Sequence, residues 1–429
     1  MNRNMKPVLN PFACRILAIR LEVREMQSAK FYAILLVSVM LAGIFSLSPA
    51  ISTLMNDVII TSTGRISATN VTASSGSPDD IQAAVDVVEA AGGGNVYIPE
   101  GNFSFVIDPA KIGPTNRPTG VNIRGGVSII GGGIDKTILY QPSDPPLGGS
   151  MFAVDGRNNK KIRISGITFK GCVTSEDASG GGITIVAGKD YRVDHCKFID
   201  FAGQGIFATN HMAPYGANRG VIDHCNFDNP YKDIIGGLWG YGITVIGTYY
   251  NWEDINNLLG RYDGLSNIVY IEDCNFSRTR HAVSSTGGGY YVVRHCTLSE
   301  PRPKNFGMID IHGVSGYEGV GGRGLEAYDN LIIGAADYAA SQVFWLRGGG
   351  GVIFNNTIQG CAYGVMLTEE AGQQEKCKVH DLWIWNNAQD GGTFLTPGDY
   401  TENVDYFLYQ KAGYVLYPYP HPLTFEAAP

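Results

Sequence analysis

The sequence predicts an all-β chain wound as a parallel β-helix, and three observations carry that expectation. The first is a repeat. Seven times between Lys161 and Asn387 an apolar run leads through one or two polar residues to a Cys or Asn, usually followed by another apolar residue. The copies centre on Cys196, Cys225, Cys274, Cys296, Asn330, Asn356 and Asn387, spaced about 22 to 49 residues apart. Repeats of this period mark a solenoid, in which each unit buries its apolar face only by stacking on its neighbours. The second is another recurring segment, GITIV at 182–186, GIFAT at 205–209, GITVI at 242–246, MIDIH at 308–312, VFWLR at 343–347 and GVMLT at 364–368. Alternation over such short runs is the pattern of a half-buried strand, not of a helix. The third is composition: 56 glycines with only 17% charged residues suit many tight turns joining short buried strands. Each coil should then rise by about 4.8 Å.

Taken in order, the chain opens with an apolar, uncharged run at 31–47, preceded by Lys30 and followed by Ser48-Pro49-Ala50-Ile51-Ser52. This is the shape of a secretory signal. Residues 1–52 are therefore expected to be a signal sequence with an upstream extension, Met26 offering a conventional start. A retained membrane anchor is the alternative, since the run is nearly long enough to span. Either way the body is expected to be secreted or at the cell surface, with membrane contact only through this segment if it is uncleaved. Residues 53–125 form a lead-in, a helix and the first strands. Ser77 suits the N-cap, Pro78 the first helical position, and Asp79 and Asp80 the positive end of the dipole. Ile81, Ala84, Val85 and Val88 make one apolar face, and Gly92 to Gly94 end the helix. Such a helix would cover the open end of the solenoid. The solenoid itself is placed at 126–390. A Tyr- and Pro-rich tail at 391–429 is expected to pack along the last coil as an irregular C-terminal cap.

Cys196, Cys225, Cys274 and Cys296 share one repeat position with Asn330, Asn356 and Asn387, which implies an interior ladder. Parallel Cβ vectors on neighbouring coils fit a disulfide poorly, so these four are read as buried thiols. Cys14 precedes the signal. Cys172, Cys361 and Cys377 fall near turns, and their pairing stays open. No CxxC or Cys/His zinc spacing is present. The net charge of −8 argues against nucleic acid or an anionic membrane surface as a partner.

The stretch DDIQAAVDVVEAAGGGNVYIPEGNF at 79–103 resembles the opening motif of the pectate-lyase-like superfamily of secreted right-handed β-helix proteins. YPYPHPL at 417–423 is similar to the end of many secreted β-helix proteins of polysaccharide-degrading bacteria and archaea. The resemblance covers roughly residues 71–425. It implies a single-stranded right-handed parallel β-helix with an N-terminal capping helix, and carbohydrate as the ligand; with the basic stretch described below, the expected partner is an acidic polysaccharide or cell-surface glycan. The superfamily contains lyases, hydrolases, epimerases and non-catalytic fibres, and fold does not choose among them.

Aligning the second strand across coils gives an outward column of Thr184, Phe207, Thr244, Val283, Asp310, Trp345 and Met366. Two residues on, the column is Val186, Thr209, Ile246, Ser285, His312, Arg347 and Thr368. Asp310 and His312 should share a face about 6–7 Å apart, with Trp345 and Arg347 one coil on and His281 one coil below. The stretch from Arg278 to Lys304 is locally basic, with Arg280, Arg294, Arg302, His281 and His295 against Glu300 alone. It suits carboxylate or sulfate groups. Arg323 and Glu326 form a second expected rim, and Trp345 a platform for a sugar ring.

β-Elimination of a uronate polymer needs a cation for the carboxylate, a base for the proton beside it and an acid for the leaving oxygen. Arg347, His312, and His281 or Tyr290 are the respective candidates, with Asp310 orienting His312 or holding calcium. Calcium is the one cofactor considered; none is demanded. Three alternatives stand beside this reading. A structural Asp310–Arg347 ion pair with incidental histidines is one. Hydrolysis is another, but it needs two carboxylates about 5–9.5 Å apart, and only Glu326, Asp337, Glu369 or Glu370 could approach by loop placement. Third, Asp310-Ile311-His312 is similar to the Asp-Pro-His element of mannuronan C5-epimerases, although Phe306-Gly307 stands where their Tyr-Gly is usual. A non-catalytic glycan-binding protein using the same flank is the rival from outside enzymology.

Overall fold

The computed structural model describes residues 69–426 except 173–179, 211–217, 230–239, 248–253, 261–266, 302–305, 314–319, 336–340, 371–372 and 374. The expected signal segment, Met26, Cys14, Arg302, Lys304 and Asp337 lie outside the described residues. The chain winds through three long parallel sheets of twelve, ten and ten strands, each strand hydrogen-bonded to its counterpart one coil away. Gly307–Ile311, for example, lies between Val283–Thr286 and Gln342–Leu346, with Ser284, Asp310 and Trp345 level with one another. Among the described residues no helix is long and apolar enough to cross a membrane.

In-register parallel winding places equivalent side chains directly above one another, so the interior is built of stacks. Phe169, Phe198, Phe227 and Phe276 stack with ring centroids 5.1, 4.9 and 4.7 Å apart. Leu298, Ile332 and Ile358 continue the column, all buried. The Cys/Asn ladder is interior as well. The four repeat cysteines are buried free thiols, and Cys172, Cys361 and Cys377 are unpaired too. Asn330 Oδ1 accepts from the Cys296 amide at 2.9 Å. Asn330 Nδ2 donates to Asn356, and Asn356 Nδ2 to Asn387, each at 2.9 Å. The residue before each ladder position bends the chain: His195, His224, Asp273, His295, Asp329, Asn355 and Asn386 all have φ between +50° and +56°. Asn, Asp and His tolerate that left-handed conformation best among non-glycine residues, which explains the polar residue in the repeat.

The helix Pro78–Ala90 forms as expected. Ser77 caps it by accepting the Asp80 amide at 3.2 Å, and Ile81, Ala84, Val85 and Val88 are its buried face. It packs on the first coils, against Thr69–Thr72, Gly94–Tyr97 and Thr119–Arg124.

The tail departs from expectation. Its first part does lie on the last coil, Thr393–Thr396 and Tyr406–Phe407 each pairing with a strand one coil back, but from Lys411 it runs back outside the twelve-stranded sheet. Lys411 sits over Trp383 at 4.4 Å, and the Tyr414 hydroxyl donates to Glu326. The carbonyls of Tyr417 and Pro418 each accept from Arg294 at 2.9 Å. His421 N donates to Glu272 at 2.7 Å, the Thr424 carbonyl accepts from Arg192 at 2.8 Å, and Glu426 pairs with Lys161. The reason lies in what this sheet carries on its outside. Tyr270, Tyr290, Val292, Tyr328, Val352, Phe354 and Trp383 form one apolar cluster with Ile255, Leu258 and Leu423, and such a face must be covered.

Candidate functional site

The site wall is the ten-stranded sheet containing Gly307–Ile311. Its true register shifts the expected column by one residue at one coil. Ser284, not Val283, is level with Thr244 and Asp310, while Val283 and Ser285 are level with the inward Ile309 and Ile311. The run Ala282-Val283-Ser284-Ser285 has little contrast between apolar and polar positions, so alternation alone could not phase it. The two outward positions next below Asp310 are thus hydroxylic, with Thr244 Oγ1 and Ser284 Oγ 3.1 Å apart.

Asp310, His312 and Arg347 do come together. Asp310 is fully buried and accepts from Arg347 Nη2 with both oxygens at 2.8 Å, and from His312 Nε2 at 2.9 Å. Burial pushes its carboxyl up, but His281, His312 and Arg347 outweigh that and hold it well below the ordinary range. Arg347 also pairs with Glu370 through Nη1 and lies over the Trp345 ring at 4.3 Å. The Trp345 indole donates to Thr368 Oγ1 at 2.9 Å. One face of Trp345 is therefore covered by Arg347 and cannot stack on sugar there.

His281 faces the same cluster but is only 1% exposed. It sits edge-on to Tyr241 and Phe306, with centroids at 4.6 and 5.9 Å. Burial lowers its pKa to about 4, the nearby Asp310 offsetting this only in part. Its Nδ1 meets the Gly307 carbonyl. A carbonyl only accepts, so Nδ1 carries the proton and the lone pair is on Nε2. A neutral imidazole with its N–H tied to backbone is not the leaving-group acid that the sequence suggested. By the same logic His312 donates Nε2–H to Asp310 and keeps its lone pair on Nδ1. The His312 side chain is 26% exposed, against 0% for Asp310 and 10% for Arg347, so it is the member that solvent reaches.

The expected rims separate. Tyr290, Arg294 and Glu326 belong to the twelve-stranded sheet, beneath the returning tail. Tyr290 donates to Glu326 at 3.1 Å, and Arg294 is fully buried, bonded to Glu272 at 2.7 Å. Tyr290 is not available as an acid, and neither Arg294 nor Glu326 can touch a substrate at Asp310. Arg323 is buried beside a different cleft of about 910 Å³, lined by Asp254, Glu369, Lys378, His380, Asp381 and Tyr400. Arg278 pairs with Asp228 at the corner of the third sheet. Of the described arginines in the basic stretch only Arg280 joins His281 at the site, its guanidinium 3.9 Å from the Phe306 centroid and 5.6 Å from that of Tyr241. Consecutive residues around a coil pass onto different walls, so a basic stretch in sequence is not a basic patch in space. Sequence reasoning had placed Glu370 only as a loop candidate and gave Phe306 and Tyr241 no contact role. The signal for Glu370 is its position two residues beyond the outward Thr368.

No family model matches the chain. Two curated relatives match locally. Mannuronan C5-epimerases AlgE1 and AlgE3 of Azotobacter vinelandii are 33% and 32% identical over 103 residues, 22% of this chain. The chain spans only 7% and 5% of their length. Among solved structures, an alginate lyase from Paenibacillus sp. str. FPU-7 aligns over 79% of this chain and 99% of its own, at 14% identity and a TM-score of 0.49. A mutant tailspike protein of E. coli bacteriophage HK620, in complex with a pentasaccharide, aligns over 73% of this chain and 53% of its own, at 13% identity and a TM-score of 0.50. The chain has a right-handed parallel β-helix fold. At these identities the likeness concerns fold alone.

On the ten-stranded wall, then, Asp310 and His312 form an Asp–His pair whose histidine reaches solvent with an available lone pair, as His195, His224 and His380 also do beside aspartates outside that wall. That is the equipment of a general base. It is poor equipment for glycoside hydrolysis, which needs a carboxyl kept protonated near neutral pH; Asp310 is shifted the other way. Nor does the cluster suit calcium. That ion takes six to eight oxygen ligands, whereas Asp310 offers one carboxylate already engaged by Arg347 and its neighbours are imidazoles.

Proposed function

We propose that this protein is an extracytoplasmic enzyme acting on a uronic-acid-containing polysaccharide, and that it removes the proton beside the sugar carboxylate so that β-elimination follows. The observation that carries the reading is the Asp310–His312 pair, with buried carboxylate, fixed tautomer and solvent-reaching imidazole. His312 Nδ1 takes the proton from the carbon bearing the carboxylate. The electron pair moves into a new carbon–carbon double bond, and the glycosidic oxygen on the next carbon departs, taking its proton from solvent water, since neither His281 nor Tyr290 is placed to donate one. Asp310 orients His312 and stabilises it once protonated. Arg280, stacked on Phe306, provides a guanidinium at the rim for the sugar carboxylate.

C5-epimerisation is the second reading, favoured by the local match to the two Azotobacter epimerases. Its first step is the same proton removal, followed by reprotonation from the opposite face. One experiment separates the outcomes: incubation with polyuronates in deuterated water. Unsaturated product signals elimination; deuterium at the abstracted position in an unshortened chain signals epimerisation. New reducing ends without unsaturation would mean hydrolysis and would refute the proposal. Binding without any of these changes would leave a glycan-binding protein.

A further inference from the structure

We infer that His281, Asp310 and His312 together bind one divalent transition-metal ion of the zinc type, through two imidazole nitrogens and one carboxylate oxygen. The three residues bring one ligand atom each to within 4.8 Å of one another. They come from two adjacent coils, His281 preceding Val283–Thr286 and the other two at the end of Gly307–Ile311.

An independent observation points to a ligand. His281 Nε2 is buried and, among the described residues, has no hydrogen-bond partner. Its lone pair faces the cluster side of a ring whose other nitrogen is fixed to the Gly307 carbonyl. A buried acceptor left unsatisfied costs about 1–3 kcal/mol, and a metal ion would satisfy it. The surroundings also match those of metal-binding imidazoles and carboxylates. Ligating histidines commonly donate their second N–H to a backbone carbonyl, and ligating carboxylates are themselves hydrogen-bonded. Gly307 provides the first partner and Arg347 the second.

The donor set decides the class of ion. Two nitrogens and one carboxylate suit zinc, cobalt or iron(II), while calcium and magnesium prefer oxygen throughout. Three protein ligands leave a position open for water or a sugar oxygen. At present the His312 Nε2 proton is donated to Asp310 at 2.9 Å. Moving that proton to Nδ1, or turning the ring, frees a nitrogen for the ion without net proton loss. The metal site itself does not depend on the proposed activity: an ion held there takes up the one lone pair of neutral His312, so the ion-bound form and the base form of this residue exclude each other.

A competing pair exists on another wall. His195 and His224 stack at 5.0 Å, each with Nδ1 on an aspartate, but they are half-exposed and, among the described residues, belong to no group of three ligands. The test uses the folded protein after chelator dialysis, titrated with Zn2+ by calorimetry and with Co2+ by visible absorption. One equivalent should bind, with Co2+ bands of a four- or five-coordinate site and no competition from equal Ca2+. His312→Ala and His281→Gln should each weaken binding on the order of 100-fold or more, since even loss of an outer partner costs 10–100-fold. His195→Ala combined with His224→Ala should leave it intact. Absence of saturable binding, effective competition by Ca2+, survival of binding in both His312→Ala and His281→Gln, or its loss only in the His195/His224 double variant would each overturn the inference. Circular dichroism and melting of each variant establish that the fold is retained; His312→Ala, at a partly exposed position, is the arm least exposed to misfolding.

Discussion

Acidification should loosen the returning tail through a single buried histidine. His421, on the tail, is fully buried where the tail docks, and burial, reinforced by Arg294 and Arg219 and only partly offset by Asp190, lowers its pKa from 6.5 to about 3. Its Nδ1 accepts the Leu423 amide at 3.2 Å, so the docked ring is neutral with the lone pair on Nδ1. Protonation would abolish that bond and place a second cation beside Arg294. The undocked tail binds a proton below its ordinary pKa and the docked tail does not, so docking is weakened as pH falls through 6.5 towards about 3. At about pH 5.5 the loss is about 1.4 kcal/mol, a tenfold rise in the open population, and at about pH 7.5 it is close to nothing. Glu272 and Glu326 lie under the same tail and are pushed up by burial. They take up protons while docked and so act in the opposite sense. His421→Asn isolates the histidine, because an Asn side-chain oxygen can still cap the Leu423 amide. Hydrogen exchange of the peptide spanning 411–426, corrected for intrinsic rates, should show about tenfold more acid-induced opening in the wild type than in His421→Asn. Equal pH responses in the two proteins would refute the reasoning.

Three further outcomes are expected. Arg294→Met leaves Glu272 buried without its cation and orphans two tail carbonyls; denaturant titration should show a loss of about 3–5 kcal/mol. Phe227→Ala opens a hole in the interior ring stack between Phe198 and Phe276 and should cost about 3–5 kcal/mol by the same measurement. His312→Gln should cut turnover of a polyuronate by about 10²–10⁴-fold with unchanged melting, whereas Asp310→Asn should cut turnover and also destabilise, because Arg347 loses its buried partner.

Much of the architecture was legible because a parallel solenoid writes its geometry directly into the chain. Residues one coil apart are stacked, so the Cys/Asn ladder, the phenylalanine column and the left-handed polar bend all recur visibly in sequence. The helix Pro78–Ala90 was equally plain, its cap, proline and apolar face being local features. The same rule placed Asp310, His312, Trp345 and Arg347 together. It failed where no repeat existed to read. The phase of Ser284 was hidden in a run of small residues, and the basic stretch from Arg278 scattered because each step around a coil changes wall.

What the sequence alone determined, then, was everything set by spacing along one strand or between equivalent strands. Tertiary structure decided what lies across the turns: the tail folding back over Arg294 and Glu326, Glu370 reaching Arg347, and the burial that silences His281 as an acid. Those contacts join segments of unrelated spacing, driven by an apolar face that needed covering and by charges that needed partners once water was excluded. No periodicity records them.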